Sequence, residues 1–221
     1  MPNAFDLNYG YGTSAFDRKF VFNTLAHWEL PFGKGHGAWD KVTQGWSLSP
    51  IVSWYTGLPL KVLVGGGGQE FGATSAAPVG AIPTGALNFG NSLHSGVNGD
   101  KATNVGTQGN TATGGTGLNI FANPVAVFNS FRAPLLSSDT HANIGGQLRG
   151  MNHANVDLDL ARKIHFTERF SGTVSAQMFN LFNHVQFADP SVNLQSPASF
   201  GVVSSQINQP RAIELGLHLD W

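Results

Sequence analysis

Three observations predict an all-β chain. Apolar and polar residues alternate with a period of two in several segments. Charged residues make up 11 % of the 221 positions, against about 25 % in ordinary soluble domains. No apolar run reaches the roughly 18 residues of a membrane-spanning helix. The fold class they point to is an antiparallel transmembrane β-barrel segment of about five or more strands, an incomplete barrel with long Gly-rich extracellular loops.

The first strand is expected from about Arg18 to Leu30. Phe20, Phe22, Ala26, Trp28 and Leu30 share a face with Thr24, while Lys19, Asn23, His27 and Glu29 lie opposite. Pro31-Phe32-Gly33-Lys34-Gly35 ends it. The second is expected from about Trp46 to Val64, with Trp46, Leu48, Val52 and Trp54 opposed to Ser47, Ser49 and Ser53. Pro50 and Gly57 inside that span predict a bulge or kink. A third, from about Asn155 to Ile164, sets Val156, Leu158 and Leu160 against Asn155, Asp157 and Asp159. A fourth, from about Arg169 to Phe182, sets Phe170, Val174, Ala176, Met178 and Phe182 against Ser171, Thr173, Ser175 and Gln177. The fifth is the terminal run from Ile213 to Trp221, in which every odd position is apolar.

Connection lengths alternate: moderate, very long, a tight turn around His165–Glu168, then long again. Tight turns on one side and long loops on the other are the rhythm of an outer-membrane barrel. The whole of 1–221 is expected to be one barrel portion, with 64–152 a long extracellular loop region. Within it, Gly65–Gly117 is low in complexity and is expected to be flexible, with short strands at most. If the terminus is periplasmic, an odd count of five strands makes the chain enter from outside. Complete barrels of this kind have an even count. Met1-Pro2-Asn3-Ala4-Phe5-Asp6 also lacks the n- and h-regions of a signal peptide. The expectation is a C-terminal portion whose beginning lies upstream.

Composition excludes several functions. A net charge of −1 gives no basic surface for nucleic acid. Without cysteine there is no disulfide framework, thiolate ligand or thiol nucleophile. The eight histidines are too scattered for strand or helix ligand spacing. The run Gly65–Gly68 lacks the Gly-Lys-Ser/Thr of a phosphate loop, and no Gly-x-Ser-x-Gly elbow occurs. No cofactor and no enzymatic activity are expected. Asp157 and Asp159, about 7 Å apart along one strand face, are expected to face a wet lumen and pair with Arg or Lys on neighbouring strands. Phe20, Phe22, Trp28, Trp46, Trp54, Phe170, Phe182 and Trp221 fall on the apolar faces, where a bilayer would gather them into interfacial girdles.

Several blocks resemble the TonB-dependent outer-membrane receptors of the Oar-like type. They are Phe16-Asp17-Arg18-Lys19-Phe20, Trp28-Glu29-Leu30-Pro31-Phe32-Gly33-Lys34-Gly35, Gly45-Trp46-Ser47-Leu48-Ser49-Pro50-Ile51 and Thr56-Gly57-Leu58-Pro59-Leu60. To these are added Asn143-Ile144-Gly145-Gly146-Gln147-Leu148-Arg149-Gly150, Asn155–Leu160, Phe166-Thr167-Glu168-Arg169 and Phe179-Asn180-Leu181-Phe182-Asn183-His184. The chain departs from that pattern at Trp221, where Phe is usual, at Gly146, where Arg is common, and at Met151, where Pro is common.

The resemblance implies the barrel portion of a receptor for solute uptake or surface binding. It implies outer-membrane lipid as a partner, and a TonB system reached only through a plug outside this stretch. It also implies that Leu215, Leu217, Leu219 and Trp221 form a signal read by the barrel assembly machinery. Two other readings stand beside it: a secreted or surface β-sandwich adhesion domain, and a small structural outer-membrane barrel.

Overall fold

The computed structural model describes residues 11–31, 43–64, 79–87, 89, 92–135, 139 and 147–221. Met1–Asp6, residues 32–35 of the first turn block, Gly65–Gly68, Asn143–Gly146, His36 and His141 lie outside the described residues. In chain order the strands are β1 (Val21–Leu25), β2 (Trp28–Glu29), β3 (Trp46–Tyr55), β4 (Pro59–Leu60), β5 (Leu63–Val64), β6 (Val79–Gly80), β7 (Ile82–Pro83), β8 (Phe131–Arg132), β9 (Leu148–Arg149), β10 (His153–His165), β11 (Ser171–Phe179) and β12 (Ala212–Asp220). A short helix, α1, spans Pro124–Phe128.

The described chain divides into two compact units. The first comprises Phe20–Tyr55, His153–Gln186 and Asn208–Trp221 and is built on one antiparallel sheet in the order β1-β3-β10-β11-β12, with β2 also pairing β3. The five predicted strands are all present. Among the described residues β1 and β12 each pair on one side, so the sheet is open. Strand directions alternate across it, so β1 and β12 run the same way and cannot close antiparallel on each other.

Three boundaries differ from the sequence expectation. The first strand is split into β1 and β2, although Leu25 opposite Ile51 and Trp28 opposite Leu48 keep one register. Pro50 is the cause: its carbonyl accepts from Ala26 N at 3.1 Å, but it has no N–H to return the bond. The ladder loses a rung rather than gaining a bulge. The second strand ends at Tyr55, and Gly57 lies beyond it, in the other unit. The fourth ends at Phe179, because Asn180 and Asn183 adopt left-handed φ of 49° and 50°, a conformation Asn tolerates better than most residues.

The second unit gathers Met1–Lys19, Thr56–Asn152 and Phe187–Ile207. The described residues of the Gly-rich stretch here are not an irregular loop. Val105, Ile120, Phe121, Val127, Phe200 and Val203 belong to one buried apolar cluster. Phe200 is fully buried, stacked on Phe121 at 5.7 Å and edge-on to Phe128 at 5.2 Å between ring centroids. The backbone around it is held by Ile120 N donating to Gly201 O and Val203 N donating to Leu118 O, both at 3.0 Å. Asn119, also fully buried, is satisfied: its amide donates to Phe200 O at 3.1 Å and its carbonyl accepts from Phe121 N at 2.9 Å. Gly201 has a φ of 71° and sits where a Cβ would press on Asn119 and Phe121. α1 starts from Asn123, whose side chain accepts from Ala126 N at 3.0 Å, with Pro124 in its first turn. Among the described residues of this unit, Gly99, Gly106 and Gly201 serve turns or close backbone approach.

Truncating Phe200 removes the centre of that cluster. Phe200→Ala is expected to destabilise the second unit by about 3–5 kcal/mol. Hydrogen exchange should show faster exchange at the Ile120 and Val203 amides; unchanged protection there would contradict the assignment of Phe200 as the core.

Candidate functional site

The sheet's register sorts its side chains onto two chemically different faces. One rung runs Trp28, Leu48, Leu160, Ala176, Leu215 across all five strand lines, and the next runs Pro50, Leu158, Met178, Ile213. The alternate rungs read Ser49, Asp159, Gln177, Glu214 and Lys163, Thr173, His218. A single residue of slip would exchange the faces. The apolar face is largely uncovered: Leu215 is 82 % and Leu217 69 % exposed. A sandwich would bury such a face about 10 Å beneath a second sheet.

Aromatics mark both ends of this face. Phe22 pairs with Trp54 at one end, while Trp28 and Trp46 stand at the other. Trp46 and Trp54 are separated by roughly 26 Å of strand at about 3.3 Å per residue. Phe20, Phe170 and Trp221 lie one residue outside β1, β11 and β12. Phe170 sits 5.1 Å from Phe166 between ring centroids, in the turn joining β10 to β11. Phe182 departs from the expectation: it is in the turn after β11, 72 % exposed, and not on the strand face.

The two ends of the sheet differ. At the end of Trp46 and His165, β10 turns into β11 over residues 166–170, with Phe166 and Thr167 N both donating to Phe170 O. At the end of Tyr55 and His153, the chain leaves β3, enters β10 and leaves β11 through long connections. Leu215, Leu217 and Leu219 share the apolar face of β12, and Trp221, 94 % exposed, follows its end.

Asp157 and Asp159 lie on the polar face, as expected, but their partners do not match expectation. Asp157 Oδ1 accepts from Asn155 Nδ2 and from Asn180 N, each at 2.8 Å. Asp159 Oδ1 is buried with no hydrogen-bond partner among the described residues. The register explains this, since Ile51 faces Asp157, and Ser49 and Gln177 face Asp159; no cation stands opposite either.

Sequence reasoning missed three features. Arg162 shares the apolar parity of Val156, Leu158 and Leu160, a signal that was there to be read. It lies opposite Trp46, its guanidinium carbon 5.5 Å from the ring centroid. Second, Asn180 staples the end of β11. Its Nδ2 donates to His184 O and Gln209 O, both at 3.1 Å, and its Oδ1 accepts from His184 N at 2.9 Å. Asn183 Oδ1 accepts from Arg211 N at 3.0 Å, just ahead of β12. These are the two left-handed asparagines of the Phe179–His184 block.

Third, three motif blocks meet within the second unit. Pro59 and Leu60 pair with Arg149 and Leu148. The Arg149 guanidinium forms an ion pair with Asp17 and donates to Asp17 O at 3.1 Å. Arg18 donates to Thr56 O at 2.6 Å. A Cβ at Gly57 would overlap the Gly150 carbonyl, and one at Gly150 would overlap the Asp189 carboxylate, so both positions need glycine. Asp189 accepts from Met151 N at 3.1 Å.

One ion pair in this unit has a pH consequence. Arg132 grips Asp139 through two contacts of 2.6 and 2.7 Å, and Leu135 N donates to the same carboxylate. Arg132, and next the Leu135 N–H, pull the Asp139 carboxyl down to about 2. Because the folded value lies below the ordinary one, the contribution is complete above about pH 4 and is lost as pH falls through about 2. A carboxylate titration followed by NMR should give a midpoint of about 2 in the native chain and a higher one in Arg132→Gln. A native midpoint near 4 would contradict the pairing.

A family model described as outer membrane beta barrel domain matches residues 1–214. No curated protein matches the chain, and no solved structure does.

Proposed function

Because this chain, matched over residues 1–214, belongs to the outer membrane beta barrel domain family and is an outer-membrane protein, we propose that it forms wall and surface loops of a TonB-dependent, Oar-like receptor. Its role would be the uptake or surface capture of a solute, without catalysis. Family membership establishes the barrel; the receptor reading is the finer step.

The observation that carries this step is the meeting of distant motif blocks. Asp17, Gly57, Arg149 and Gly150 come from three segments that resemble the receptor pattern, and they converge on one ion pair and one two-residue ladder. Two further blocks occupy strand ends: Phe166–Arg169 in the β10–β11 turn, and Phe179–His184 in the Asn-stapled turn after β11. The division of connection lengths also favours it. A barrel of this class has tight turns on its periplasmic side and long loops outside, so the β10–β11 turn would be periplasmic and the second unit, built from the long connections, would be available for solute.

In this reading the apolar face meets lipid and the polar face lines the lumen. An arginine on the lipid face of such a barrel costs about 2–4 kcal/mol at the bilayer midplane and about 0–1 near the interfaces. Arg162 stands at the short-turn rim, where the cost is smallest. Open strand edges are not tolerated in hydrocarbon, since each unpaired backbone group costs several kcal/mol. The edges of β1 and β12 that carry no partner among the described residues would therefore be paired in the assembled barrel. Energy would come from TonB through a plug, a part that the resemblance places ahead of these strands.

Two experiments test the reading. Protein isolated from outer membranes with antibodies against residues 92–135 should carry a plug-bearing polypeptide, contiguous or associated, that cross-links to the purified periplasmic domain of TonB. A heat-modifiable barrel that captures none of it would favour the structural-barrel reading instead. The terminal strand would be read by the assembly machinery through Leu215, Leu217, Leu219 and Trp221. Deleting Trp221 should then lower the heat-modifiable fraction on gels, and an undiminished fraction would remove that role.

A further inference from the structure

We propose that Asn98 is a site of self-modification, where the native fold promotes conversion of the side-chain amide to aspartate and isoaspartate through a cyclic imide. The proposal rests on one turn of the second unit and not on the receptor reading. Asn98 and Gly99 form the single Asn-Gly pair in the sequence. In any Asn-X pair the backbone nitrogen of X can close a succinimide ring on the Asn side-chain carbonyl. A glycine at X brings no Cβ to crowd that closure.

The turn supplies each part that the reaction needs. Val97 N and Asp100 N are engaged, donating to Gly117 O and Val105 O at 2.9 Å each. Between them the Gly99 N–H, the nucleophile, makes no hydrogen bond among the described residues. Asn98 Oδ1 accepts from Thr111 N at 3.1 Å and from Thr111 Oγ1 at 3.3 Å. Negative charge builds on that oxygen as nitrogen adds to Cγ, so two donors already aimed at it stabilise the tetrahedral intermediate. Those donors are held in place, because Thr111 opens the turn Thr111–Thr113, which Asn110 caps by accepting from Ala112 N at 2.9 Å. Asn98 Nδ2, the leaving group, has no partner among the described residues, and Asn98 is exposed. Asn129 offers the contrast: Ser130 N, which would attack it, donates to Val127 O at 3.1 Å.

In the step itself, hydroxide takes the Gly99 amide proton and the nitrogen bonds to Asn98 Cγ. The Cγ–Nδ2 bond breaks, and Nδ2 takes a proton from water and leaves as ammonia. A water molecule then opens the imide, at Cγ to give aspartate or at the backbone carbonyl to give isoaspartate. No oxidant or reductant is needed. The aspartate product keeps an acceptor for Thr111. The isoaspartate product adds a carbon to the backbone beside Gly99, whose φ of 71° and close approach to Gly106 leave no room for it.

The test uses full-length protein extracted from outer membranes and incubated in mildly alkaline buffer, both native and unfolded in guanidinium. Peptide mapping by mass spectrometry follows the amide-to-acid conversion and separates aspartate from isoaspartate. Native protein should convert Asn98 at least as fast as the unfolded chain, with Asn129 unchanged. Thr111→Val keeps the N–H and removes the hydroxyl. It should slow native conversion about threefold, the factor that one neutral hydrogen bond supplies, and leave the unfolded rate as it was. An Asn98 that stays intact in native protein while it converts in the unfolded chain would overturn the proposal, as would a native rate that Thr111→Val leaves unchanged or raises. Should Thr111→Val disturb the turn itself, Thr111→Ser decides. It restores the hydroxyl, so a native-like rate supports the site and a slowed one overturns it.

Discussion

The pairing of β3 with β10 is the constraint on which the rest of the structure depends. Leu48 faces Leu160 and Val52 faces Val156, and the same rungs continue through β11 into β12. Side chains in a strand alternate strictly, so this register alone decides which residues meet lipid and which meet water. Every other feature of the sheet follows from it. Trp46 and Trp54 fall at opposite ends, Asp157 and Asp159 fall on the polar face, and Arg162 falls on the apolar one at the rim. The same register leaves Asp159 opposite Ser49 and Gln177, with a buried carboxylate oxygen that nothing in the sheet satisfies.

The long connections are built on different physics. In the sheet, apolar residues face outward and backbone bonds run between neighbours. In the second unit, apolar residues turn inward around Phe200, and short two-residue ladders hold segments that are far apart in the chain. Low charge and abundant glycine serve both. On the sheet they spare the lipid face from ionic cost. In the second unit they let backbones approach where a Cβ would not fit, as at Gly57 against Gly150.

Much of the sheet was legible because its signal is local. Period-two alternation around Leu158 and around Leu217 identifies strands and faces without any knowledge of partners. The same signal over-extended at Phe182, because Asn180 and Asn183 end β11 through their own left-handed backbone and side-chain staples. It also passed over Arg162, whose parity was plain but whose charge disguised it. The second unit was nearly illegible. Phe121, Phe128 and Phe200 form its centre, yet Phe200 lies far along the chain from the other two, and no periodicity connects them.

The sequence by itself determined the all-β character, the five membrane-facing strands, the two faces of each and the alternation of short and long connections. These are properties of neighbouring residues, set by backbone geometry and hydropathy. Only the tertiary structure decided that Pro50 removes a ladder rung without shifting register, that Asp157 is served by amides rather than cations, and that Val105, from the Gly-rich stretch, joins the core around Phe200. It alone joined Asp17 to Arg149. The physical reason is that such contacts depend on which distant segments can approach, and approach is governed by volume, missing Cβ atoms and hydrogen-bond satisfaction. None of these leaves a periodic trace along the chain.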